Sequence, residues 1–276
     1  MIQPTPTVAA GLTVAVTAGA APRKPFPIVF IHGSGGGAWT WEAFQPWFGA
    51  RGWTSYAPNL RGHHGSKPAD PGRIGIEDHL SDLQELLQAL GPAVLIGHSL
   101  GGLLALKLAE RLSPPALVAL APAPPRGFSA LGNPALVGAF LRHLPAIVSN
   151  RPVIPSPNEA ARLTLNAIPA EHRAAVYRRG VPQSGRTLFQ ISITGVAIAP
   201  LRRRIPMLLV AGTEDRMVPA ASVCRVARTL GAEYHEHPGV GHVAQLEPHW
   251  RRVAADIADW LDRVLAPSPA AAGPSS

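Results

Sequence analysis

The stretch Ile96-Gly97-His98-Ser99-Leu100-Gly101-Gly102 decides how the rest of the chain is read. A short apolar run, Ala93 to Ile96, precedes it and has the length of a buried strand. A longer run, Leu103 to Leu112, follows it with the length and period of a helix. Gly-x-Ser-x-Gly at a strand-to-helix junction is the signature of a nucleophile elbow, a turn so sharp that the serine is held in a strained backbone conformation. Gly97 and Gly101 belong there because a Cβ at either position would collide with the neighbouring strand or helix. The turn lifts the hydroxyl of Ser99 out of the sheet. It also puts the N–H of Leu100 at a helix N-terminus, where a developing oxyanion is stabilised.

Working outward, strands and helices alternate on both sides. Thr7 to Val16 reads as an edge hairpin around Gly11, Ile28-Val29-Phe30-Ile31 as a buried strand, and Trp39 to Arg51 as a helix. Trp53 to Ala57 is the next strand. Glu77 to Leu90 is an amphipathic helix closed by Gly91-Pro92, and Ala116 to Ala121 is a further strand. Such alternation with short connections predicts an α/β fold, a mostly parallel sheet of the eight-stranded type flanked by helices. The rhythm stops at Pro122. Residues 123–200 are rich in proline, contain no convincing strand, and suggest helices at Ala135 to Val148, Asn158 to Ile168, Glu171 to Arg179 and Thr187 to Gly195. They are expected to form a cap, or lid, inserted into a core made of residues 1–122 and 201–265. In the second part of that core, Pro206 to Ala211 and Ala232 to His237 read as strands, and Ala220 to Leu230 and Gln245 to Leu265 as helices. The Pro/Ala/Ser tail 266–276 is expected to be disordered.

Bulk properties narrow the function classes. With 46% hydrophobic and 15% charged residues in 276, the chain buries a large core. Its net charge of +8 comes almost wholly from scattered arginines, and the tightest run, Arg202-Arg203-Arg204, lacks interleaved aromatics, so no nucleic-acid partner is expected. The single cysteine, Cys224, rules out an internal disulfide framework and reads as a buried filler. No run reaches the ~18 apolar residues of a membrane span. The apolar stretch Val8 to Ala21 lacks the basic segment of a signal peptide, so a cytoplasmic location is expected. A homodimer is left open.

A serine nucleophile needs a base, and the base needs an orienting carboxylate. The strand Met207 to Ala211 ends in Gly212-Thr213-Glu214-Asp215-Arg216. Asp215 or Glu214 fits the acid, and Asp215 is preferred because Arg216-Met217-Val218-Pro219 leads directly into a helix. Of eleven histidines, His242 follows the flexible loop Pro238-Gly239-Val240-Gly241 after a strand and suits a mobile base. His235 and His237 are two apart on one strand face and point away from such a loop site. His32, His63, His64 and His98 lie near the site as packing or hydrogen-bonding residues, with His32 bracing the glycine loop and His98 beside the pocket. Adjacent histidines at 63 and 64 point apart, so no metal is expected. The second oxyanion donor is expected from the loop Gly33 to Gly37, with the N–H of Ser34 first and Gly35 next. That loop lacks the Lys-Ser/Thr of a phosphate-binding loop. Trp39 and Trp41 are expected in the core or on the pocket floor. Arg178, Arg179 and Arg186 are read as solvated, with an anionic substrate as the alternative.

The chain resembles an α/β-hydrolase fold enzyme of the type with a helical cap between strands six and seven. The resemblance is carried by Phe30-Ile31-His32-Gly33-Ser34, Asn59-Leu60-Arg61-Gly62-His63-His64-Gly65-Ser66, Gly97 to Gly102, Gly212 to Pro219 and Gly239-Val240-Gly241-His242, in the family order. It departs in having two histidines where the family usually has one in the Arg-Gly-His-Gly-Ser segment. The resemblance implies a Ser99–His242–Asp215 triad with oxyanion N–H groups from Leu100 and Ser34, and no cofactor. The expected activity is serine-hydrolase cleavage of a small or medium carboxylic ester through an acyl-enzyme. Lactone, thioester or carbon–carbon hydrolysis, a cofactor-free lyase or oxygenase, and a non-catalytic receptor are the rivals.

Overall fold

A computed structural model describes residues 5–128, 134–200 and 204–266. Eight strands form one sheet: β1 Thr5–Ala9, β2 Leu12–Thr17, β3 Ile28–Ile31, β4 Ser55–Pro58, β5 Val94–His98, β6 Leu117–Leu120, β7 Met207–Gly212 and β8 Glu233–His237. Their order is β1-β2-β4-β3-β5-β6-β7-β8. The hairpin β1–β2 and the pair β2–β4 are antiparallel, and all later pairs are parallel. The central strands β3, β5, β6 and β7 are buried at every position, because helices cover both faces. This accounts for their unbroken Val/Ile/Leu runs.

On one face lie α2 (Ile76–Leu90), α3 (Leu100–Leu112) and α8 (Ala220–Leu230), which meet the sheet through Leu80, Leu83, Leu104, Leu108 and Val226. On the other lie α1 (Phe44–Gly49) and α9 (Trp250–Val264), with Trp41, Phe44, Phe48, Ile257 and Trp260 against Phe30 and Val118. The ring of Trp41 stacks on Phe30 at 4.8 Å between centroids. The helix expected over Trp39 to Arg51 is in fact a 3₁₀ turn, Ala38–Trp41, followed by α1. Each piece is tucked against the core by its own aromatics. The last helix starts at Trp250 instead of Gln245, after a 3₁₀ turn at Ala244–Leu246. Cys224, expected to be buried, is half-exposed.

Between β6 and β7 the described chain is helical: α4 Pro134–Val148, α5 Pro157–Leu163, α6 Ala170–Arg178 and α7 Gly185–Phe189, the last continued by a wider π turn to Thr194. An isolated bridge joins Val153 to Gln183. This segment is tied to the core by polar contacts. Ser184 Oγ and Thr187 Oγ1 donate to the carbonyl of Ile74 at 2.6 and 2.8 Å, and Gln190 Oε1 accepts the first N–H of α2 at 2.8 Å. No helix of the described residues is long and apolar enough to cross a membrane. The Pro/Ala/Ser tail lies, from residue 267 onward, outside the described residues, as do Arg202 and Arg203.

Candidate active site

Three loops at the carboxyl ends of β5, β7 and β8 meet beside a fourth that follows β3, where sites assemble in parallel sheets. Ser99 sits between β5 and α3 with φ +52° and ψ −115°, a conformation costly for any residue with a Cβ. Its main chain is anchored on both sides. Its N–H donates to Leu120 at 2.9 Å, and its carbonyl accepts from Leu103 at 3.1 Å and Ala123 at 2.9 Å. The turn also needs its glycines for space. A Cβ on Gly97 would stand 2.2 Å from the carbonyl oxygen of Gly101, and one on Gly101 would stand 2.1 Å from that of Ile31. Ser99 itself is partly accessible, whereas its neighbours His98 and Leu100 are buried.

Asp215 and His242 come together. His242 Nδ1 lies 2.9 Å from Asp215 Oδ2, and both side chains are shielded from solvent. The other carboxylate oxygen, Oδ1, accepts the N–H groups of Met217 at 2.7 Å and Val218 at 2.8 Å. Two backbone donors and one imidazole thus fix the carboxylate, and the ring is held with Nδ1 toward it. Glu214, the alternative acid, is exposed, and its main chain is engaged, the N–H donating to Val240 O at 2.8 Å and the carbonyl accepting from Asn166 at 2.8 Å.

His98 links this pair to the elbow. Its Nε2–H donates to the main-chain oxygen of His242 at 2.8 Å, and the two rings lie 4.8 Å apart. Burial, with the neighbouring His242 ring, pushes the pKa of His98 down to about 3, so it stays neutral. His32 is also locked. Nε2 accepts the N–H of Leu60 at 3.0 Å, which leaves the proton on Nδ1, donated to Gly33 O at 2.8 Å. Complete burial, reinforced by His63, holds its pKa well below the ordinary histidine value. With Nε2 bound to a backbone N–H and Nδ1 protonated, His32 has no nitrogen free to take a proton from Ser99.

The glycine loop passes close to the elbow: a Cβ on Gly33 would lie 3.1 Å from Ser99 Cβ. Ser34 and Gly35 are half-exposed at the loop's tip, and Gly35 O accepts the N–H of Val181 from the helical segment at 3.0 Å. Trp39 differs from expectation. It is half-buried, its Nε1–H donates to His64 at 3.3 Å, and the guanidinium of Arg179 lies over its ring at 4.4 Å while pairing with Glu42. Arg179 is therefore a strap across the two parts of the chain, whereas Arg178 is simply exposed and Arg186 reaches the carbonyl of Arg73 at 3.3 Å. The doubled histidine is accommodated by a left-handed turn at His64, φ +42°. His63 is turned inward against the ring of His32, and His64 outward. Among the described residues no group of three His, Cys, Asp or Glu is placed to hold a metal. His235 and His237 both face Asp256, at 2.8 and 3.1 Å, on the shared strand face that their spacing requires.

Sequence reading missed Glu247. It is buried to 1% exposure, and its two carboxylate oxygens accept the N–H of Gly241 at 2.7 Å and of Val243 at 3.1 Å, the residues on either side of His242. Burial raises its pKa, against the pull of those donors. The only sequence signal is a single carboxylate closing the otherwise uncharged run Val243-Ala244-Gln245-Leu246.

The chain belongs to the alpha/beta hydrolase family, whose model matches residues 28–256. It is similar to the protein named magnesium-chelatase 30 kDa subunit of Rhodobacter capsulatus, with 28% identity over 261 residues, covering 85% of this chain and 86% of that one. A shorter likeness, 35% identity over 79 residues and 27% of each chain, is to a pyrethroid hydrolase of Sphingobium wenxiniae. Among solved structures, a thermophilic esterase from Thermogutta terrifontis superposes with a TM-score of 0.69 at 21% identity, covering 95% of this chain and 98% of that one.

Proposed function

We propose that this protein is a serine hydrolase that cleaves a carboxylic ester of a small or medium acyl substrate. Ser99 is the nucleophile, His242 the base, and Asp215 the residue that holds and stabilises the imidazolium. The observation that carries this reading is the buried 2.9 Å contact of His242 Nδ1 with Asp215, tethered through His98 to the strained turn of Ser99. With Nδ1 occupied, Nε2 is the nitrogen left to take the hydroxyl proton as Ser99 Oγ attacks the carbonyl carbon. The N–H groups of Leu100 and Ser34 bind the oxyanion. His242 then returns the proton to the departing alcohol oxygen. A water, deprotonated by His242, cleaves the acyl-enzyme to carboxylic acid and free Ser99. The helical segment 123–200 serves as the cap, and the names of the pyrethroid hydrolase and the esterase agree with ester cleavage.

The likeness to a magnesium-chelatase subunit favours a second reading, in which the fold serves as a component of a larger assembly. Labelling with a fluorophosphonate probe, together with hydrolysis of short and long p-nitrophenyl esters, separates the two. Labelling that disappears in Ser99→Ala supports the hydrolase. A wild type that neither labels nor hydrolyses any ester removes it in favour of the assembly component.

A further inference from the structure

The helix α4 is predominantly apolar. Its 15 residues include two polar side chains, Arg142 and His143, and Ile147 is its one buried residue. Its outward stripe, Pro134, Gly138, Leu141, Pro145 and Val148, follows the helical period and is exposed, with Leu141 at 59% and Val148 at 51%. In a helix of a water-facing segment this stripe would carry charge. Just beyond it the chain folds back, Arg151 N–H donating to Ala146 O at 2.8 Å, and Ile154 is 60% exposed. Four of the five large side chains most exposed among apolar residues lie in the segment between β6 and β7, three of them within residues 141–154. A helical stripe of exposed apolar side chains of this kind marks an interaction surface.

Charge identifies the occupant. Residues 123–200 contain eight arginines, no lysine and two carboxylates, Glu159 and Glu171, so this segment holds six of the chain's eight net positive charges. All of these arginines except Arg173 are exposed, with Arg142, 3.3 Å from Glu159, beside the stripe and Arg151 just past its end. A second copy of the chain would bring two such fields together and repel. An anionic bilayer surface attracts them, offers phosphates to guanidinium groups, and accepts aliphatic side chains at the boundary between headgroup and acyl region.

We propose that the outward stripe of α4, with Ile154 and the adjacent Arg142 and Arg151, docks the protein on an anionic lipid bilayer. The helix lies in the interface and does not cross it. The docking stands apart from ester cleavage, since none of its residues is among Ser99, His242 and Asp215.

Co-sedimentation of the full chain tests this with phosphatidylcholine vesicles and with vesicles of phosphatidylcholine mixed with phosphatidylglycerol. The anionic vesicles should bind at least roughly tenfold more tightly, with the margin shrinking as salt is raised. The double variant Leu141→Ser/Val148→Ser should lose about tenfold or more of that binding while keeping the wild-type melting temperature. Should the double variant not fold, Ile154→Ser, on a loop, should lower binding severalfold. Ser99→Ala should bind as wild type. Equal binding to both kinds of vesicle, full binding by the variants, or a wild-type dimer that Leu141→Ser/Val148→Ser converts to monomer would overturn the proposal.

Discussion

The elbow and the helical segment above it were built by opposite rules. At Ser99 both the N–H and the carbonyl are bonded, the glycines are those that admit a neighbour within van der Waals reach, and the flanking side chains are buried. Between β6 and β7, α6 has no buried residue and α4 has one, and part of the attachment to the core is polar. A site that must place atoms to within fractions of an ångström is held by dense packing. A segment with so many exposed positions has a surface free to vary.

The contrast breaks most visibly if Ser99→Ala leaves ester turnover intact. The expected loss is about 10⁶-fold in kcat, measured with p-nitrophenyl esters. Asp215→Asn keeps the packing but no longer holds the imidazole in its working tautomer, and turnover should fall by about 10⁴-fold with little change in KM. Glu247→Ala tests whether a residue without chemistry of its own supports the base. Leaving the N–H groups of Gly241 and Val243 without acceptors should cost about 3 kcal/mol in urea unfolding, and Glu247→Gln, which keeps one acceptor, should cost less.

Acid should act on the dense region. Burial pushes His79, like His98, down to about 3 from an ordinary value of 6.5. The unfolded chain therefore takes up these protons first. Stability is full above pH 6.5 and falls as pH drops toward 3, by about 1.4 kcal/mol per pH unit for each histidine. Unfolding midpoints at several pH values should show that slope, and His79→Leu should remove its own share. The smallest effect belongs to the strap. Arg179→Ala loses an exposed ion pair with Glu42 and the contact with Trp39, and should cost under about 1 kcal/mol while raising proteolytic nicking of residues 123–200.

Much of the dense region is legible in the sequence alone. Its motifs are local: Gly97 to Gly101 encodes a turn, and the runs Ile28 to Ile31 and Met207 to Ala211 encode strands buried on both faces. The helices of residues 123–200 were legible as helices but not as surfaces, because an apolar residue reads the same whether it is packed or exposed. Arg179 looked like any solvated arginine, since its partners Trp39 and Glu42 are some 140 residues away in the chain. Glu247 was invisible for a related reason. Its acceptors point at main-chain donors, which no side-chain pattern announces.

Composition and local order alone determined an α/β sheet, the strained serine, and the strand-end loops that carry Asp215 and His242, because sheet period, helix period and steric room for glycine act between neighbours in the chain. Only the tertiary structure decided that His242 meets Asp215 while His235 and His237 turn to Asp256, and that Glu247 clamps the loop. It also decided that α4 keeps an apolar stripe in water. Each of these is a contact, or a missing contact, across a long chain separation, and burial and direction exist only once the strands and helices have packed.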